Sequence, residues 1–236
     1  NLDHLEAAEK MLNVLKGTAG KQTVHVNNKS DFVNALNNPN VGTIITDGAE
    51  IEFEDFWGNE REYVVNRDLV IGGSSTLRYV EFHVQNGATL LLRDSLYIDD
   101  TRTQGSTYGA LNPVEVYANS ALVTTDSVSL RTEYGRGDAT EGVCIKLMEE
   151  GASAVLGSNG LYWAAEGAVY SPASNTSIVI NDGTYNAKNE TRFIIDSYGD
   201  VTVNGGTISS LWTQGSLRIQ AARSSIRTLR AAKRCR

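Results

Sequence analysis

Hydrophobic spacing changes period along the chain, and each period predicts a different element. Over the first sixteen residues Leu5, Ala8, Met11, Leu12 and Leu15 recur at helical spacing, with Asp3, Glu6, Glu9 and Lys10 between them. This predicts an amphipathic helix, ended by Gly17 and Gly20. The run Ser30-Asp31-Phe32-Val33-Asn34-Ala35-Leu36 predicts a second, short helix. Ser30 or Asp31 is expected to accept its orphan N–H groups, and Asn37-Asn38-Pro39 to close it. From about Val41 to Ser210 the period falls to two, in short β-rich runs separated by Gly, Asn, Asp and Ser turns.

Those turns form a series. Arg93-Asp94-Ser95-Leu96-Tyr97-Ile98, Thr125-Asp126-Ser127-Val128-Ser129-Leu130, Ser158-Asn159-Gly160-Leu161-Tyr162-Trp163, Asn181-Asp182-Gly183-Thr184-Tyr185 and Asn204-Gly205-Gly206-Thr207-Ile208 align as one turn-then-strand unit. Arg67-Asp68-Leu69-Val70-Ile71 is a weaker earlier copy. The anchors Asp68, Asp94, Asp126, Asn159, Asp182 and Gly205 lie 23 to 33 residues apart, room for three short strands and their turns. One coil alone cannot satisfy its backbone or bury its apolar residues, whereas coils stacked at ~4.8 Å do both. The pattern therefore predicts an all-β fold, a right-handed parallel β-helix of three sheets with an N-terminal capping helix. Residues 1–40 read as cap and lead-in, 41–214 as the β-helix and 215–236 as a basic tail. The stacked Asp and Asn anchors are expected to serve the turns, not catalysis.

Period two also assigns directions. Relative to the anchors, Leu96, Ile98, Val128, Leu130, Leu161 and Trp163 are expected to point inward, and Tyr97, Ser129, Tyr162, Tyr185 and Ile208 outward. Tyrosine offers a flat apolar face with a polar tip, so Tyr97, Tyr162 and Tyr185 are candidate partner-binding residues. Ordinary stacking between coils is the competing reading. On the preceding strand Leu91, Val123, Leu156 and Val179 are expected to face out, as an aliphatic stripe that a terminal helix or a partner must cover.

The Ser30–Leu36 helix, the strand run Val41–Phe53 and the segment Val65-Asn66-Arg67-Asp68-Leu69-Val70-Ile71-Gly72-Gly73 together resemble the start of pectin-lyase-like β-helices. More narrowly, residues 22–210 resemble the pectate-lyase-like adhesive domains of bacterial surface proteins. The resemblance implies recognition by a secreted or surface-displayed protein, with a host glycoprotein, a glycan or an immune protein such as immunoglobulin as partner. A chain that begins at Asn1 without a basic-then-apolar leader suits a mature or excised fragment.

A pectate lyase, as the resemblance implies, would need clustered acids for calcium and an arginine to take the proton α to the uronate carboxyl. Asp99 and Asp100 are the candidate calcium ligands, with Asp126 as a third and Arg102 or Arg131 as base. Arg136, Asp138 and Glu141 follow one coil later. Neither lyase nor polygalacturonase strings surround them, so no catalytic residue is assigned. A non-catalytic recognition module is the leading expectation, ahead of a calcium-dependent lyase and a structural spacer. His83, in the run Glu81-Phe82-His83-Val84, reads as a strand-surface residue, and Arg136-Gly137-Asp138 as turn chemistry with a charged tip.

Charge sharpens the choice of partner. The net charge of −7 includes seven basic residues and no acid after Ser210's segment, from Gly215 onward, which leaves residues 1–214 at −14. So acidic a body argues against nucleic acid and, unless calcium bridges, against polyuronates. Leu217, Ile219, Ala222, Ile226, Leu229 and Ala232 allow the tail to form an amphipathic helix capping the last coil, unless the tail is foreign to the repeat. No apolar run approaches the ~18 residues of a membrane span. Cys144 and Cys235 signal neither a disulfide framework nor a zinc site.

Overall fold

The computed structural model describes residues 2–53, 61–101, 111–133, 142–165, 167–188, 193–220 and 224–231. Within them the chain winds into a parallel β-helix of three sheets. The first sheet stacks nine strands, among them Val41–Thr46, Leu69–Gly73, Thr89–Leu92, Ala121–Thr124, Ser153–Leu156, Ser177–Ile180 and Asp200–Val203. The second stacks Glu50–Glu52, Thr76–Arg78, Tyr97–Asp100, Ser129–Thr132, Leu161–Ala164 and Thr184–Ala187. The third stacks Glu62–Val65, Glu81–Val84, Val114–Val116, Val143–Leu147, Gly167–Ser171 and Ile195–Ser197. The long strand Gly206–Thr213 turns the corner between the second and third sheets and pairs with both.

The core is the column of inward residues from each sheet. In the second sheet it runs Ile51, Leu77, Ile98, Leu130, Tyr162, Tyr185 and Ile208, each opposite the next across parallel pairs. Leu96, Ile98, Val128 and Leu130 point inward as expected. Tyr162 and Tyr185 do so too, at 0% and 1% exposure, which corrects their outward assignment. Their rings stack 4.5 Å apart at 9° inside the helix. The Tyr162 hydroxyl bonds the Thr124 and Ser158 hydroxyls, and that of Tyr185 donates to the Asp182 carbonyl.

For Tyr162 the cause is a slip of one residue in its coil, whereas Asp182 and Gly205 keep the register and the strand after each starts one residue sooner, which turns Tyr185 and Ile208, both expected outward, into the core. Leu92 lies opposite Thr124 and Thr124 opposite Leu156, so Ser158, not Asn159, takes the place of Asp94 and Asp126. The Asn159-Gly160 pair mimics the turn signature one position late. A one-residue shift exchanges the two faces of a strand. Hence Leu156 is core and Val155 outward, while Leu161 and Trp163 face out on either side of buried Tyr162. Asp68 is likewise not an anchor: Ile71 pairs with Leu92, which puts Gly73 in that column. Gly73, Asp94 and Asp126 have φ of 108°, 65° and 56°, a left-handed turn that Gly and Asp tolerate. The Asp126 carboxylate accepts from the Asp94 N–H at 3.0 Å, and that of Asp94 from the Gly73 N–H at 2.9 Å. The ladder serves the turns.

Helix α1 (Leu2–Thr18) lies across the outside of the first sheet. Its Val14, wholly buried, and Met11 pack on Val70, Leu91, Val123, Val155 and Val179, one from each of five successive strands. A helix of 17 residues is ~25 Å long, the height of about five stacked strands. The aliphatic stripe is therefore an internal interface, and Leu91, Val123 and Val179 are not available to a partner.

Helix α2 (Lys29–Asn37) inserts Phe32, Ala35 and Leu36 into the core at the N-terminal end, with Phe32 edge-on to Phe53 at 5.0 Å. Its N-cap is Asn28, whose side chain accepts from the Asp31 N–H, two residues before Ser30 and three before Asp31, the expected caps. Arg67 donates to the Leu36 and Asn38 carbonyls at the other end, tying the helix to the next coil. At the C-terminal end the tail forms no helix among the described residues. Leu217–Ile219 extends the first sheet, and Ser224–Ala231 pairs in parallel with Gly206–Thr213. Ile226 and Leu229 repeat the spacing of Ile208 and Leu211 opposite them, so the open edge of the last coil templates a strand.

Candidate functional site

Outward columns carry what chemistry the surface has. In the third sheet, register aligns His83, Glu115, Lys146, Tyr170, Asp196 and Trp212 on six successive strands. At its N-terminal end this column is an acid–histidine network. His83 Nε2 lies 3.1 Å from Glu81 Oε1 and 3.5 Å from Glu115 Oε2. Tyr117 donates its hydroxyl to Glu115 Oε2 at 2.7 Å, and Asn112 donates to Oε1 at 3.0 Å. Asn112 in turn accepts from the Gly142 and Val143 N–H groups, which fixes it against the next coil.

Burial pushes the Glu81 carboxyl up, and the Glu115 charge adds to this against the hydrogen bond from His83. Burial alone would lower the His83 imidazole, but the bond to Glu81 and the charges of Glu115, Glu81 and Glu62 raise it. Desolvation and the neighbouring Glu115 push the Tyr117 phenol up. Such a network holds a proton tightly. Ligand atoms of Glu62, Glu81 and His83 also lie within 4.8 Å of one another, a donor set of nitrogen and oxygen that could hold a divalent cation.

His83 is thus a strand-surface residue with a network around it. The sequence hint was the interval from His83 to Glu115, which equals that from Asp94 to Asp126 and so stacks the two side chains. Toward the C-terminal end the column turns aromatic. Tyr170, Asp196 and Trp212 are half-buried, and Trp212 holds exposed Tyr198 edge-on at 5.2 Å.

The second sheet places the expected calcium ligands. Asp99 faces out and pairs with Arg78 at 3.0 Å, whose Nε also reaches Glu50 at 2.9 Å. Asp100 faces in and accepts from the Val80 N–H at 3.1 Å. Consecutive strand residues point to opposite faces, so these two carboxylates cannot close on one ion. Arg131 sits over the Trp163 ring at 4.5 Å. Tyr97 does face out, half-buried; its phenol is raised by burial and by Asp99, against its hydrogen bond with Arg131. Arg102, Glu141 and the Arg136-Gly137-Asp138 motif lie outside the described residues. No protein-family model and no curated protein sequence matches the chain.

Proposed function

We propose that this chain is a non-catalytic, adhesin-like recognition module of a secreted or surface-displayed protein, built on a pectin-lyase-like β-helix. It binds glycan chains, free or carried on a host glycoprotein, through the outer face of its third sheet. The observation that supports this is the column Lys146, Tyr170, Asp196 and Trp212, one residue per strand. Flat rings alternate there with an ammonium and a carboxylate, so sugar faces can stack while hydroxyls find donors and acceptors. Tyr162 and Tyr185 lie in the core and Leu91, Val123 and Val179 lie under α1, so this face takes their place in the argument.

The test is binding of the purified chain to a panel of glycans, mucins and immunoglobulin, with and without calcium. Saturable binding that weakens about tenfold in Tyr170→Ala or Trp212→Ala is expected. Ultraviolet absorbance from an unsaturated uronate product, formed only with calcium, would replace this reading by the lyase. Absence of saturable binding would leave the spacer.

A further inference from the structure

Beside the third-sheet face, the turns that lead into the first sheet leave two adjoining hollows. One, of about 460 Å³, is lined by residues that include Asn175, Tyr198, Asp200 and Gln214. The other, of about 280 Å³, borders α1 at Lys10 and is lined also by Ser153 and Ser177 together with the same Asn175 and Asp200. The shared residues make them one groove. It runs from the polar side of α1 to the exposed ring of Tyr198.

Local backbone geometry builds this groove. Ser153, Ser177 and Asp200 are in register on successive strands, so their side chains form one outward row at the strand starts. Asn175 sits in a left-handed turn, with φ 56°. A Cβ on Gly199 would come within 2.1 Å of Thr176 Oγ1, and one on Gly215 within 2.4 Å of the Gly199 carbonyl oxygen. Only glycine at those two positions lets three successive turns close up into a continuous floor. Asp200 Oδ1 accepts from the Ser216 N–H at 2.7 Å, which orients the carboxylate and uses one of its several acceptor positions.

Ser153 is the observation that asks for a ligand. It is only 6% exposed, and its Oγ has no hydrogen-bond partner among the described residues. A buried hydroxyl without a partner is unfavourable, and Ser153 is among the residues that line the smaller hollow.

We propose that this groove binds a neutral, hydroxyl-rich saccharide, with the Ser153 hydroxyl, the Asp200 carboxylate and the Asn175 amide bonding sugar hydroxyls and Tyr198 stacking on a ring face. This rests on the glycan-recognition reading and names the sugar class. The lining is mostly neutral hydrogen-bonding groups, and its charges, Lys10 and Asp200, offset each other. A uronate would bring its carboxylate beside Asp200 on a body of net charge −14, which repels it. Tyr198, 42% exposed and braced by Trp212, gives the rigid platform that a pyranose face stacks on.

The experiment is isothermal titration of the full chain with neutral tetrasaccharides of glucose, mannose, galactose and N-acetylglucosamine, with tetragalacturonate as the acidic control. At least one neutral sugar is expected to bind with a Kd below about 1 mM, and tetragalacturonate to bind more weakly. Tyr198→Ala is expected to weaken binding about tenfold. Ser153→Ala is expected to weaken it about threefold without lowering Tm, because the hydroxyl has no partner to lose. Binding unchanged in both variants, preference for tetragalacturonate, or no neutral sugar bound at about 10 mM overturns the proposal. Should panel binding then persist and fall only with Tyr170→Ala, the groove fails and the third-sheet face stands.

Discussion

Among single residues, His83 carries the clearest pH dependence. Its imidazole binds a proton more tightly in the folded chain than at its ordinary pKa of 6.5, because Glu81, Glu115 and Glu62 surround it. The native state then holds more protons than the unfolded state, so stability falls as pH rises. This contribution is whole below about pH 6.5 and is lost as pH climbs through the higher folded value. The raised Glu81 carboxyl acts in the same direction from its ordinary 4.5 upward. Tm measured from pH 6.5 to 9 is expected to fall more steeply for the wild type than for His83→Gln, and equal slopes would show that the imidazole gains nothing from its carboxylates. The same scale shows where reading by type misleads. Asn159 looks like Asp126, but geometry gives that place to Ser158, whose hydroxyl bonds the Val128 carbonyl and the Tyr162 hydroxyl inside the helix. Asp94 and Asp126 each accept from a backbone N–H of the preceding coil, whereas Ser158 turns its hydroxyl to a carbonyl and to buried Tyr162.

At the level of elements, α1 shows how much the alternation of a strand can reveal. An aliphatic residue facing outward on successive strands demands a cover, and Met11 and Val14 on a helix of matching length provide it. The need for a cover was legible because Leu91, Val123 and Val179 follow from period two; Val155 was not, since the slipped coil exchanged it with Leu156, and neither was Val70, whose coil has Gly73 and not Asp68 in the anchor column. The helix's place across the strands was less so, because nothing local to residues 2–18 fixes its direction. Burying Val14 alone stabilises the chain by about 1.5–3 kcal/mol. Removal of residues 1–18 is therefore expected to expose the stripe Val70, Leu91, Val123, Val155 and Val179 and to produce strong anilinonaphthalene-sulfonate fluorescence with loss of soluble yield. A truncated chain that stays soluble and dark in that assay would mean that the sheet face tolerates water. Val14→Asp offers a milder version, with the same direction and the rest of the helix retained.

In the whole molecule, each coil gains its stability from the coil on either side, and the ends decide what remains unsatisfied. The N-terminal end has α2 with Phe32 seated against Phe53 and Phe82. Among the described residues the C-terminal end has the last strands alone, with Ile226 packed against the core and Leu229 47% exposed. The tail's composition pointed to a helix because its apolar residues fit that period, yet a strand edge with unpaired N–H and C=O groups is a stronger template than weak amphipathicity. Long-range pairing of this kind is invisible to local pattern, as were the Glu81–His83–Glu115 network and the groove at Ser153. Each depends on which coil stacks on which, and loops of unequal length shift that register by whole residues. If the tail is a working part of the solenoid, ending the chain after Ser216 removes the shelter of Val201, Val203, Ile208 and Leu211. The partial burial of Leu217 and Ile226 is worth ~2 kcal/mol, which lowers Tm by about 4–8 °C in a domain of this size. Scanning calorimetry of the two chains measures the difference, and an unchanged Tm would show that residues 217–236 hang free of the last coil.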